Sequence, residues 1–191
     1  MIIAFGHKKQ QGKDTAVQAI VEHVRKKAVF GNSPNPYAYW SSFAQPLYEV
    51  CHSLIPEFET KEHYDNHPLH KEIVISRLGK TPRQILIDVG QTLKTVLGPD
   101  CFAIPIANLH LKEPYVLLIS DLRFPCEVHA IKKRGGICVK VERTGVEYEG
   151  DDVDRALDDW DGWDYTLTND CSLREFQRKA IDFYEDLINA K

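Results

Sequence analysis

The stretch Gly6-His7-Lys8-Lys9-Gln10-Gln11-Gly12-Lys13-Asp14-Thr15 constrains this chain more than any other. It is entered from a short apolar run, Ile2 to Phe5, and left through Ala16, Val17, Ile20, Val21 and Val24, which recur at helical spacing. The order is therefore strand, glycine-bounded polar loop, helix. Such a loop turns backbone N–H groups inward, and the helix that follows aims its first N–H groups at the same point, which makes an anion site. Lys13 adds a mobile charge that can span the β- and γ-phosphates of a nucleoside triphosphate. The spacing departs from G-x-x-x-x-G-K-[ST] in two ways: five residues separate Gly6 from Gly12, and Asp14 takes the hydroxyl position with Thr15 next. Either Thr15 supplies a hydroxyl to Mg²⁺, or Asp14 reaches the metal through water. The plain alternative is a lysine-rich surface turn capped by Asp14.

The rest of the chain continues in strand and helix units. Residues 31–39, rich in turn formers, read as a surface loop, and Pro46 opens a helix carrying Leu47, Val50, Cys51 and Leu54. Residues 56–80 have no clear period and read as a mobile lid-like excursion rather than a core element. Pro82 starts a helix that Gly98-Pro99 ends, and a further helix is expected over 101–110. Tyr115 to Ser120 is a nearly continuous apolar run, as in an interior parallel strand. A helix follows over 125–134, then strands at 137–141 and 165–167. Ser172 caps the last helix, with Glu175 as its box partner. Strands alternating with helices predict an α/β fold: a three-layer, P-loop NTPase-like parallel sheet flanked by helices. The 191 residues suffice for one domain, 1–191, with the excursion around 56–80.

Composition narrows the function classes. The net charge is -4, from 24 basic and 28 acidic residues, so a polymeric nucleic-acid partner is not expected. No apolar run reaches membrane-spanning length, and no secretory leader is visible, so no membrane partner is expected. The five cysteines form no C-x-x-C pair, which suits a reducing cytoplasm. His63, His67 and His70 have conceivable metal-ligand spacing, although a transition-metal site is not the expectation there. A homodimer is an open expectation, since small symmetric oligomers are common.

Several residues outside the loop are candidates for chemistry. Asp121 closes the most buried-looking strand, at the sheet edge where open parallel sheets place ligands, and a carboxylate there can orient a Mg²⁺-bound water or cap the next helix. Arg123 can reach transferred phosphate, with Glu127 as its structural clamp. Arg143 ends the next strand and can contact phosphate. Asn169, at another strand end, can pair with an adenine edge or cap a turn. Arg83 sits in the first turn of a helix, where a cation does nothing for the helix dipole; binding an acceptor phosphate would explain it, and a surface salt bridge is the alternative. Gln84 and Gln91 are candidate base or sugar contacts. Trp40 is a candidate stacking platform, whereas Trp160 and Trp163 read as packing residues within a solvated acidic stretch.

In order along nearly the whole chain stand GKDTA at 12–16, SFAQPL at 42–47, TPRQIL at 81–86, DVGQTLKTVLGPD at 88–100, SDLRFPCEV at 120–128, GGICVKVER at 135–143 and NDCSL at 169–173. This series resembles the deoxynucleoside monophosphate kinases of tailed phages, which are P-loop enzymes. The resemblance implies ATP and Mg²⁺ as cosubstrates and a deoxynucleoside 5′-monophosphate as the acceptor. Together with the residue readings above, this scheme expects catalytic roles for Lys13, Arg83, Asp121 and Arg123. Nucleotide contacts would come from Gly12, Lys13, Asp14, Thr15, Arg143 and Asn169. Acceptor contacts would come from Trp40, Arg83, Gln84, Gln91 and Lys94, and metal contacts from Asp14, Thr15 and Asp121. Gln45 stands where the family has aspartate, and Lys94 where it commonly has arginine. A kinase of another small phosphorylated metabolite and a catalytically silent nucleotide-binding protein are the alternative readings.

Overall fold

The computed structural model describes residues 1–29, 37–109, 115–145 and 155–190. The strands are β1 (Ile2–Gly6), β2 (Tyr37–Ser41), β3 (Tyr115–Leu122), β4 (Ile137–Glu142) and β5 (Tyr165–Thr168). They form one sheet in the order β2-β3-β1-β4-β5, with every neighbouring pair parallel. The helices are α1 (Lys13–Val29), α2 (Gln45–Leu54), α3 (Lys61–Asn66), α4 (Pro82–Leu97), α5 (Ala103–Ala107), α6 (Pro125–Lys133) and α7 (Leu173–Asn189), with a 3₁₀ turn at Pro68–Glu72. This is the α/β class expected from the alternating pattern.

The sheet's period of two sorts its side chains between faces. Ile3 and Phe5 of β1, Val116 and Leu118 of β3, and Val139 and Val141 of β4 share one buried cluster with α1 and α7. From α1 come Ala16, Val17, Ile20, Val21 and Val24, the stripe read from the sequence; from α7 come Phe176, Ala180, Tyr184 and Leu187. On the opposite face, Ile131 of α6 packs so closely on Gly136 that a Cβ there would lie 2.6 Å from Ile131 Cγ2 and 3.2 Å from Ile2 Cβ. Helices thus cover both faces, which is why β3 could be apolar at nearly every position.

The chain divides into two compact units, one built from residues 1–42 and 107–191, the other from 43–106. The second unit has its own buried cluster of Tyr48, Cys51, Phe58, Tyr64, Ile75 and Ile85. Residues 56–80 therefore do contribute to a core, contrary to the sequence expectation, through three of those six residues. Phe58 and Tyr64 meet edge to face at 5.2 Å. Their wide spacing in a polar stretch leaves no periodic signal.

Tyr37–Tyr39 lies in strand β2, not in the loop expected over 31–39; residues 31–36 fall outside the described residues. β2 is an edge strand whose residues are mostly exposed, so it lacks the apolar pattern of a covered strand. It is held by its register on β3 and by Tyr37 stacking on Tyr115 at 5.0 Å. The helix expected over 101–110 is shorter, Ala103–Ala107, and residue 110 is not described.

Helix ends follow local chemistry. Ser172 Oγ accepts from Glu175 N at 3.4 Å, and Glu175 Oε2 accepts from Ser172 N at 3.0 Å, closing the expected capping box. We expect Ser172→Ala to cost about 1 kcal/mol and Phe176→Ala about 3–5 kcal/mol in urea unfolding. Equal costs would contradict the assignment of α7 stability to its buried face.

Candidate active site: the glycine loop and the strand ends around it

Residues 7–12 leave β1 at its carboxyl end, in the centre of the sheet. β1 connects toward β2 on one side, whereas β4 leads to β5 on the other, so the loop stands where the strand order reverses. Three of its residues have left-handed backbone: His7 (φ 90), Gln10 (φ 62) and Gly12 (φ 106). The two non-glycine residues each store about 1–3 kcal/mol of strain. Left-handed residues let a short loop turn its N–H groups toward one concavity. Gly12 O accepts from Ala16 N at 3.0 Å, the first hydrogen bond of α1. Lys13, Asp14 and Thr15 accordingly occupy the first turn, where N–H groups have no intrahelical acceptor.

Gly12 is fixed by more than its φ. A Cβ there would lie 2.6 Å from Asn169 Nδ2 and 3.0 Å from Phe176 Cε1. At Gly6 a Cβ would lie 2.6 Å from Trp163 Cη2 and 2.9 Å from Leu122 O. Both glycines let another group approach the loop backbone.

Gln11 ties the loop to the two neighbouring strand ends. Its buried side-chain Oε1 accepts from Arg143 N, just past β4, and its carbonyl accepts from Asn169 Nδ2 at 2.9 Å, just past β5. Asn169 N in turn donates to Glu142 O at 2.7 Å. Asn169 is thus a brace of the loop, and Arg143 meets it through the main chain. Gln11 carried no sequence signal, because a glutamine in a polar loop looks like surface.

Lys13 is 6% exposed, and its Nζ donates to His7 O at 3.1 Å and to Lys8 O. The ammonium therefore sits inside the loop's own curve. Asp14 is exposed and Thr15 half-buried. Lys8 Nζ lies 3.3 Å from Asp158 Oδ1, and His7 Nε2 lies 3.7 Å from the same atom. Part of the acidic stretch thus faces the loop rather than solvent alone. Burial, then Lys140 and Lys8, hold the His7 imidazole below its ordinary value, so it is neutral near pH 7. Trp163 packs edge to face against His7 at 6.4 Å, and Trp160 against Trp163 at 4.5 Å. His7 Nδ1 and Trp163 Nε1 are buried without a hydrogen-bond partner among the described residues. His7, Gln11 and Asp158 are the residues of the loop and its surroundings that sequence reasoning missed, whereas Trp163, read as a packing residue, does pack against the loop.

Asp121 and Arg123 flank Leu122, which pairs in register with Gly6, so both stand beside the start of the loop. Glu127 Oε2 accepts from Arg123 N at 2.7 Å and Phe124 N at 3.0 Å, so the expected clamp grips the Arg123 backbone and caps α6. Trp40, 42% exposed at the end of β2, donates from Nε1 to Ser120 Oγ at 3.1 Å, which fixes the ring at this same sheet edge. Cys138 lies fully buried in β4, and burial pushes its thiol up to about 12, which excludes it as a nucleophile.

The remaining candidates belong to the second unit. Arg83 Nε donates to Glu72 Oε1 at 2.5 Å, both side chains about half exposed. The surface salt bridge weighed for Arg83 is therefore present. Gln84 Oε1 accepts from Thr81 N at 2.9 Å while Thr81 Oγ1 accepts from Gln84 N at 3.2 Å, a capping box that accounts for this glutamine structurally. Gln91 is exposed on α4 and Lys94 half-buried near its end. Gln45 Nε2 donates to Glu49 Oε1 at 2.8 Å along α2.

No family model matches the chain. Over 156 residues, 73% of this chain and 79% of the relative, it is 28% identical to an Acanthamoeba polyphaga mimivirus protein named "Putative deoxynucleotide monophosphate kinase". Among solved structures it is similar to TT1252 from Thermus thermophilus, with a TM-score of 0.46 and 16% identity, covering 98% of this chain and 97% of that one.

Gln11→Ala removes the acceptor of a part-buried N–H. We expect a loss of about 1–3 kcal/mol in urea unfolding, against less than about 0.5 kcal/mol for Lys9→Ala on the exposed side of the loop. Equal effects would show that the Gln11 contact does not hold the loop.

Proposed function

We propose that the chain transfers the terminal phosphoryl group of ATP to a deoxynucleoside 5′-monophosphate, giving ADP and the deoxynucleoside diphosphate. The observation that supports this most is Lys13 at the start of α1, inside a glycine loop braced by the ends of β4 and β5. The similarity to the mimivirus protein supports a nucleotide kinase in general, and the run of motifs from GKDTA to NDCSL supports the deoxynucleotide acceptor. Among the described residues no helix is long and apolar enough to cross a membrane.

In this reading the loop amides and Gly12 cradle the triphosphate, and Lys13 exchanges its contacts with the loop carbonyls for phosphate oxygens. The donor set also fits a hard cation: Asp14, Thr15 and Asp121 offer oxygen atoms at one sheet edge, and Mg²⁺ held there would neutralise phosphate charge. Arg123 and Arg143 stabilise the charge that develops as the bond from the γ-phosphorus to the bridging oxygen breaks and the bond to the acceptor phosphate oxygen forms. Asn169 keeps the loop in shape beside the nucleotide. Trp40, Gln84, Gln91, Lys94 and Arg83 bind the acceptor. Arg83 does so by leaving Glu72, an exchange that costs little because exposed pairs are worth about 0–1 kcal/mol.

The test is to incubate the protein with ATP, Mg²⁺ and a panel of ribo- and deoxynucleoside monophosphates, and to resolve the diphosphates formed. We expect base-selective diphosphate formation, and a loss of at least about 10²-fold in kcat for Lys13→Ala. Full activity of that variant would sink the loop assignment. Phosphorylation confined to another metabolite, or ATP binding without any transfer, would replace the proposed reaction.

A further inference from the structure

Residues 155–164 meet the start of the glycine loop, and the proposed reaction gives them no part. Their place is fixed at several points. Leu157 is buried, Asp158 N donates to Arg155 O at 2.9 Å, and Trp160 N donates to Leu157 O at 3.3 Å. Trp163 lies so close to Gly6 that a Cβ there would meet its ring at 2.6 Å. Asp164 is bound to β4: its N donates to Cys138 O at 2.9 Å, and its Oδ2 accepts from Cys138 N at 2.7 Å. Asp158 is therefore carried by a segment with its own anchors. None of these anchors uses the Asp158 side chain, so a neutral residue at 158 would serve them equally.

That side chain brings a carboxylate to a loop that the proposed function gives to an anion. Its Oδ1 is 3.3 Å from Lys8 Nζ and 3.7 Å from His7 Nε2, and the Asp158, Lys8 and His7 side chains are 31%, 28% and 11% exposed. All three are partly shielded, so water and salt weaken the field of this carboxylate less than that of a fully exposed one. His7 and Lys8 are also the two residues whose carbonyls accept from Lys13 Nζ. The carboxylate thus stands against the same residues that hold the central ammonium of the loop.

The charges set its effect. Across residues 6–15, Lys8, Lys9 and Lys13 against Asp14 leave a formal charge of +2, which Asp158 lowers to +1. Burial keeps His7 neutral near pH 7, so it adds nothing to this balance. A fixed carboxylate beside an anion site opposes binding in proportion to the charge of the ligand. Mg²⁺ cancels about half of the negative charge of ATP, so the carboxylate repels the free nucleotide about twice as strongly as the magnesium complex. A doubled energy is a squared ratio of affinities.

We propose that Asp158 is a specificity-determining residue that selects the magnesium complex of ATP over the free nucleotide, by subtracting one positive charge from the loop. The inference rests on the reading of this loop as a triphosphate site. Loop amides and Lys13 attract phosphate in either form, and Asp158 supplies the discrimination at the expense of overall affinity. It acts from where it stands, with no rearrangement of the loop.

The experiment measures binding of a non-hydrolysable ATP analogue to the full chain by calorimetry at neutral pH and fixed ionic strength, once with excess Mg²⁺ and once with chelator. We expect Asp158→Asn to tighten the magnesium complex about threefold and the free analogue about tenfold, the second being the square of the first. Both gains should shrink as salt is raised. Asp158→Glu keeps the charge and should keep the wild-type preference. Lys8→Met makes the opposite change in charge and should shift the preference further toward the magnesium complex. Equal gains for the two forms in Asp158→Asn, no gain in either, or weaker binding of both overturns the proposal. So does a preference that Lys8→Met leaves unchanged. If the wild-type chain binds neither form, the triphosphate reading falls and this inference with it. If it binds both with the preference that Asp158→Asn also shows, this inference alone falls.

Discussion

Gln11 holds the loop on which the functional reading rests. Its side-chain oxygen meets the end of β4 and its carbonyl meets Asn169 after β5, so two strands of the sheet position a backbone that has little regular structure of its own. The loop also carries left-handed residues at His7 and Gln10 that cost energy in isolation. Strain of this kind persists only where the surroundings over-determine it. Here they do: Trp163 lies against Gly6, Asn169 and Phe176 against Gly12, and Phe176 belongs to the main core. Core packing, strand register and loop shape are therefore one mechanical problem rather than three.

That coupling explains what was legible in the sequence. β1, β3 and β4 are covered on both faces, so their apolar runs stood out, and α1 and α7 show one-sided stripes that match their buried residues. Ser172 and Glu175 announced the start of α7 through chemistry confined to four residues. β2 was missed because an exposed edge strand of aromatic residues has no apolar face to signal it. The core role of Phe58, Tyr64 and Ile75 was missed because each stands alone among polar neighbours.

Within the site, the residues legible in sequence were those whose chemistry is intrinsic: a glycine-flanked lysine, and charged residues at the ends of apolar strands. Asp121 and Arg123 do stand beside Gly6 through the register of β1 and β3. Gln11 acts by long-range hydrogen bonding, so nothing in its immediate sequence marks it, whereas the packing role read for Trp163 is the one it has. The structure also gives several candidates an internal occupation: Gln84 caps α4, Arg83 pairs with Glu72, and Lys13 bonds to its own loop. Those contacts differ in kind. The exposed Arg83 pair is weak and exchangeable, whereas Lys13 is buried and held by the carbonyls of its own loop.

The proposed function requires this loop to be a triphosphate site shaped by the ends of β4 and β5. Backbone amide NMR during titration with a non-hydrolysable ATP analogue and Mg²⁺ is the decisive test. We expect saturable shifts that are largest from Gly6 to Thr15, with a second group at Arg143 and Asn169. Saturable binding that leaves those amides unmoved, or no binding at all, would contradict it.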